Sequence, residues 1–330
     1  GIGDGGAGFG LSGEGRAPNS LYLIEELDLQ PIRTPSAMNG AWQPNMLWNG
    51  QFGATHLNVG TEAQWEAETP KAVNHLGYEG LETQAIAGLT VHRMDIEEDF
   101  CETTSYKQYF EKAFPNLSGA ELYNKENAGL AIAAFERTML ANESPFQKWL
   151  QGDHNAMFED EKRGAILFFG KANCVSCHTG PALNKMEFHA LAMGDLDGDG
   201  IYGTSPDKPE NLGRGGFTKN PADNFKFKVP QIYNLTDSPF FGHGGDFRSV
   251  REVIEYKNAA IPRNSAVPPS QLAADFVPLG LSSAEIDQLT RFVESALHDA
   301  NLSRYNPITL PSGFCFPNND INTRNDLGCN

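Results

Sequence analysis

Lys171-Ala-Asn-Cys174-Val-Ser-Cys177-His178-Thr-Gly180 contains a C-x-x-C-H motif. Two thiols at that spacing can form thioether bonds to the vinyl groups of one haem. The histidine directly after the second thiol can then reach the iron. A zinc site would need a second pair of ligands at similar spacing, and the chain has neither another C-x-x-C nor an H-x3-5-H. A thioredoxin-type redox pair usually sits near a βαβ pattern and has no use for the appended histidine. The motif therefore predicts covalent haem c on Cys174 and Cys177, with His178 as an iron ligand.

Working outward, the flanking sequence reads as mostly α with long ordered loops, which suits a chain whose porphyrin replaces much of a conventional core. Phe158 to Phe169 predicts a helix stopped by Gly170. Ser282-Ser-Ala-Glu285 is a capping box, and its helix carries Ile286, Leu289, Val293 and Ala296 on one stripe. A further helix is predicted over residues 250–257, after a loop-rich stretch at 195–225. In the first half, residues 80–94 read as helix, and Ser118-Gly-Ala-Glu121 as a capping box opening another toward Leu140. Ala128, Ile132, Phe135 and Met139 fall on one face of that second helix and are expected in the core. Ser144-Pro145 is expected to end it, and a short bridge over 146–152 marks the boundary between domains 1–152 and 153–330.

The net charge of −17 offers no basic stripe to neutralise phosphates, which argues against nucleic acid and favours a partner with a basic docking patch. No apolar run reaches the roughly 18 residues that a membrane helix needs. The chain starts at Gly1 without Met, so a mature or trimmed product is expected, with something once preceding it. Gly1-Ile-Gly3-Asp-Gly-Gly6 formally fits a dinucleotide fingerprint but lacks the strand and helix that would give it meaning. Of the remaining cysteines, Cys315 and Cys329 bracket a polar tail that a disulfide would pin in an oxidising compartment. Cys101 is expected to be a buried apolar filler.

An ordered series of pieces resembles the bacterial di-haem cytochrome c peroxidases, the superfamily that also holds the MauG-type di-haem oxidases. The pieces are Arg33-Thr-Pro-Ser-Ala-Met-Asn39, Met46-Leu-Trp-Asn-Gly50, Ala133-Ala-Phe-Glu-Arg-Thr138, Ser144-Pro-Phe-Gln-Lys-Trp-Leu-Gln-Gly152 and the motif itself. Then follow Phe227-Lys-Val-Pro-Gln-Ile-Tyr-Asn234 and Leu235-Thr-Asp-Ser-Pro-Phe-Phe-Gly-His243. The resemblance implies two cytochrome c-like domains, each with a c-type haem. The N-terminal haem would reduce hydrogen peroxide, and the C-terminal one, on Cys174, Cys177 and His178, would accept electrons. It also implies a periplasmic location and a small electron-donor protein, a cytochrome c or a cupredoxin, and it leaves room for a homodimer. A MauG-like oxidase acting on Trp or Tyr of a partner protein, and a plain electron-transfer cytochrome, stay open beside it.

The same resemblance assigns candidate residues. Trp48 matches the tryptophan that relays electrons between the haems. Glu82, with Glu79 close behind, fits the carboxylate that moves a proton between the peroxide oxygens. Arg214 and Lys228 fall in pieces near the second haem, where cations can pair with propionates. Lys257 stands where the family has Met or Tyr as the sixth iron ligand, with Met193 and Tyr256 as competitors. The first C-x-x-C-H of the family is expected upstream of Gly1. The first histidine of the chain is His56, so the N-terminal haem is expected to stand open rather than carry a removable His cap. A calcium ion between the haems is disfavoured by Arg33, although Thr236 and Pro239 could offer carbonyls. Asp195, Asp197 and Asp199, followed by Gly200, form a second calcium candidate, without the closing Glu of an EF-hand.

Overall fold

In chain order the polypeptide forms α1 (Gly80–Val91), α2 (Glu98–Thr103), α3 (Tyr106–Ala113), α4 (Lys125–Glu136) and α5 (Pro145–Leu150). They are followed by α6 (Glu159–Phe169), α7 (Arg214–Thr218), α8 (Val250–Ala259) and α9 (Ser283–Arg291), which runs on as a π-helical turn, Phe292–Ala296. Two short strands, β1 (Phe188–His189) and β2 (Phe227–Lys228), pair antiparallel with Phe188 opposite Lys228. This computed structural model describes residues 31–196 and 203–302 together with Leu23, Leu310 and Pro311. The Gly-rich start, Asp197, Asp199 and the Cys315–Cys329 pair lie outside the described residues.

The second half follows its local signals. Ser282 N–H donates to the Glu285 carboxylate at 2.8 Å and Ser282 Oγ accepts from Glu285 N–H, closing the capping box that starts α9. Ile286, Leu289, Val293 and Ala296 are all buried, as their spacing predicts. They meet α6, where Gly164 lets the two helices touch: a Cβ there would lie 2.1 Å from the Gln288 carbonyl. Phe168, Leu289 and Phe292 anchor this larger core, each worth about 1.5–3 kcal/mol of burial.

The first half departs from expectation in two places. Ser118 opens only a single 3-10 turn, and α4 starts later, where Asn124 accepts a hydrogen bond from Asn127 N–H. Its core face is then Gly129 and Ala133, not the expected apolar stripe. Ala133 is 0% exposed, whereas Ile132 is 38% and Phe135 45% exposed. The reason is close packing of α4 on α1, since a Cβ on Gly129 would lie 2.4 Å from Ile86. Ser144-Pro145 also starts a helix instead of ending one. Ser144 caps α5 in a box with Gln147, and Pro145 takes the first helical position, where no N–H is needed. Phe146 of α5 packs edge-on to Phe292 at 5.3 Å, so this element belongs to the larger core. Met46, Phe52, Leu81, Ala87 and Ala133 form a smaller core beside it, and Cys101 is buried in a third cluster with Leu122 and Tyr123.

Candidate functional site

The haem motif is presented by the end of α6. Gly170 closes that helix, Asn173 takes the left-handed conformation at φ 48°, and Cys174–Ser176 make a 3-10 turn. His178 N–H then donates to the Cys174 carbonyl at 2.8 Å, so both sulfurs and the imidazole are held by one tight loop. They face a cavity of about 810 Å³. Phe168, Ile232, Val250, Ile254, Leu289 and Val293 make its apolar wall. This volume falls in the range of roughly 300–1,000 Å³ usual for cofactor sites.

His178 is set up as a ligand. Its Nδ1 lies 2.9 Å from the Leu183 carbonyl, which can only accept, so Nδ1 carries the proton and Nε2 keeps its lone pair. Burial, the largest influence, pushes the imidazole down to about 4, so it is neutral at physiological pH, as iron ligation requires. Cys174 and Cys177 are both free of disulfide. Among the described residues no group of three or more Cys, His, Asp or Glu side chains is assembled for a metal ion, which removes the zinc reading there.

Three cations in the wall lack a counter-ion. Lys228 is buried, and its ammonium donates to the Gln43 amide oxygen; burial brings it down to about 8. Lys257 also lines the cavity and is brought down to about 8 by burial, with Asp275 acting on it from the rim without an ion pair. Arg33, likewise lowered by burial, donates to Ser238 Oγ at 2.8 Å. None of the three has a carboxylate partner among the described residues. Buried charge without a partner is costly, so a chain keeps it where an anion arrives from outside. A haem, with an apolar ring, two vinyl groups and two carboxylates, fits the thiols, the wall and the Lys228 and Arg33 cations together.

Trp48 stands in the same wall. Its indole N–H donates to the Arg33 carbonyl at 2.7 Å, and its own carbonyl accepts from Lys228 N–H at 2.7 Å. His243 packs edge-on to Trp48 at 6.4 Å and stacks flat on Phe227 at 3.6 Å. Asp195 holds His243 Nε2 at 3.0 Å and accepts from Asn264 at 2.8 Å. Each oxygen of Asp195 therefore has a protein hydrogen-bond partner. Its expected calcium partners, Asp197 and Asp199, lie outside the described residues.

Other expected residues fall elsewhere. Arg214 does not line the cavity; its guanidinium donates to the carbonyls of Asn49, Gly50 and Leu57 and to Asn58 Oδ1, and braces that loop. The Tyr256 hydroxyl lies against the Leu191 and Ala192 carbonyls at 2.5 and 2.9 Å. Glu82 lies outside the cavity on α1, where one oxygen accepts from Arg137 Nε and Nη2 at 2.9 and 2.7 Å. Its other oxygen is buried without a partner, and burial together with the Glu82 charge raises the Glu136 carboxyl. Sequence reasoning missed Gln43 and the His243–Asp195 pair, whose partners are 185 and 48 residues apart.

Thiols, proximal imidazole, apolar cavity and waiting cations define a c-type haem protein. Residues 12–155 match the family model described as Di-haem cytochrome c peroxidase. Over 285 residues the chain is 29% identical to the methylamine utilization protein MauG of Methylophilus methylotrophus, covering 84% of this chain and 71% of that one. Over 222 residues it is 31% identical to cytochrome-c peroxidase IdrP1 of Pseudomonas sp. (strain SCT), covering 61% of this chain and 57% of the relative. A crystal structure of a MauG-like protein associated with microbial copper homeostasis shares the fold, with TM-score 0.59 at 22% identity over 89% of this chain and 83% of that one. The chain is similar to the di-haem cytochrome c peroxidases and MauG proteins. It spans little more than half the length of the peroxidase relative.

Proposed function

We propose that this protein is a periplasmic di-haem peroxidase. One hydrogen peroxide, two electrons and two protons become two waters, the electrons coming from a small cytochrome c or cupredoxin. One haem is attached at Cys174 and Cys177, and a second belongs to the N-terminal half. The observation that carries this reading is Trp48, which is built into the wall of the Cys174 cavity and also into the loop that meets α1. Met46 packs on Gly80 at the head of that helix, two residues before Glu82. An electron leaving the cavity toward the N-terminal half therefore has an aromatic ring in its way.

The bound haem would supply a redox-active iron. The chain's own residues do the rest. His178 Nε2 offers a lone pair, Lys228 offers charge to a carboxylate, and Trp48 is fixed by its two backbone hydrogen bonds. Glu82 is pinned by Arg137 through one oxygen, leaving the other free to take and return a proton. Steady-state peroxide consumption by the haem-loaded protein with reduced cytochrome c tests the reading. The similarity to MauG over most of the chain favours one rival, an oxidase of Trp or Tyr on a partner protein. Partner oxidation without donor-driven turnover would select that rival, and neither activity would leave an electron carrier.

A further inference from the structure

One amine lining the cavity has no hydrogen-bond or ionic partner among the described residues. Lys257 sits on α8 in register with Val250, Val253 and Ile254, the four positions that this helix turns toward the cavity. Its side chain makes neither a hydrogen bond nor an ion pair among the described residues, and its one ring contact is Phe276 at 5.8 Å. It lines the same cavity as Cys174, Cys177 and His178. A surface lysine would turn to water; this one is held inside by the helix that bears it.

We propose that the uncharged ε-amine of Lys257 is the sixth ligand of the iron whose fifth ligand is His178. The inference rests on the haem reading of this cavity. Other donors in the wall are less free. Tyr256 is spent on two carbonyls, His243 on Asp195, and His189 on Glu187 at 3.2 Å. Met193, the competitor on the sequence reading, lines the cavity together with Met38 and Met139. With His178 and Lys257 both holding the iron, no position would be left open to peroxide there. An amine also lacks the potential-raising effect of a thioether, so this haem is set lower than a His/Met centre would be.

The haem-loaded full chain tests this by ferric electron paramagnetic resonance and optical spectra, with covalent haem counted in parallel. Lys257→Ala is expected to convert the low-spin signal of one haem to high-spin without loss of covalent haem. Lys257→Met is expected to keep that haem low-spin, to add the near-infrared sulfur-to-iron band, and to raise its reduction potential. A wild-type spectrum in both variants, at unchanged haem content, would overturn Lys257 as ligand; loss of the low-spin signal in Met193→Leu instead would assign Met193. Wild-type protein with no haem on Cys174 and Cys177 would overturn the haem reading itself, an outcome that the haem count separates from the first.

Discussion

Arg137 and Lys228 are both cations drawn in from the surface, and the chain treats them in opposite ways. On the α1–α4 pair, Arg137 meets Glu82 and Glu79, so the protein supplies its own anions. In the cavity, among the described residues, Lys228 meets only an amide and Arg33 a hydroxyl, with no carboxylate on either. Charge balanced from within marks a finished piece of structure. Charge left over in an apolar cavity beside two thiols marks a place completed by something that brings carboxylates with it.

Function breaks the comparison most sharply. Glu82→Gln keeps the size of the side chain but removes its proton-accepting charge, so turnover should fall by about 10²–10⁴-fold, the usual worth of an acid/base group. Trp48→Phe should lower turnover by roughly ten-fold or more. Both variants should keep full haem content, measured from the alkaline pyridine spectrum. Wild-type turnover in fully loaded Trp48→Phe would leave Trp48 as packing only.

Stability sharpens it next. In the haem-loaded protein, Lys228→Met should cost about 3 kcal/mol, because it strips a buried carboxylate of its partner. Arg137→Met should cost only about 1 kcal/mol, since that guanidinium is 36% exposed and screened by water. Denaturant unfolding compares them directly. If Lys228→Met is as stable as wild type or more so, no anion meets that lysine.

The smallest effect lies at the mouth of the cavity, where Lys171 binds both oxygens of Glu285 at 2.8 Å. That bond, helped by the Ser282 N–H, depresses the Glu285 carboxyl to about 2. A carboxylate depressed in the folded state stabilises it above its ordinary pKa, and that contribution is lost as pH falls toward the folded value. Wild type should therefore outlast Glu285→Gln above about pH 4.3, and that advantage should shrink as pH falls from there to about 2, with little difference below. Thermal unfolding across pH reads this out.

The motif was legible because its chemistry is contiguous: Cys174, Cys177 and His178 need nothing but each other to be read. The α9 box and stripe were legible for the same reason. On α4 the apolar stripe misled, since the face that packs is made of Gly129 and Ala133, and small residues that allow close approach leave no hydrophobic pattern. Ser144-Pro145 was ambiguous in principle, as the same pair can end one helix or begin the next. Lys228 and Lys257 were reached only through the resemblance, because a lone lysine is recognised by what it lacks in three dimensions.

The central claim is that Cys174, Cys177 and His178 hold a covalent haem in this cavity. Peptide mass mapping of the native protein tests it most directly. The account predicts that the peptide spanning residues 172–185 carries the added mass of one haem with no alkylatable thiol. The same peptide with no added mass, and with both cysteines open to alkylation, would contradict it.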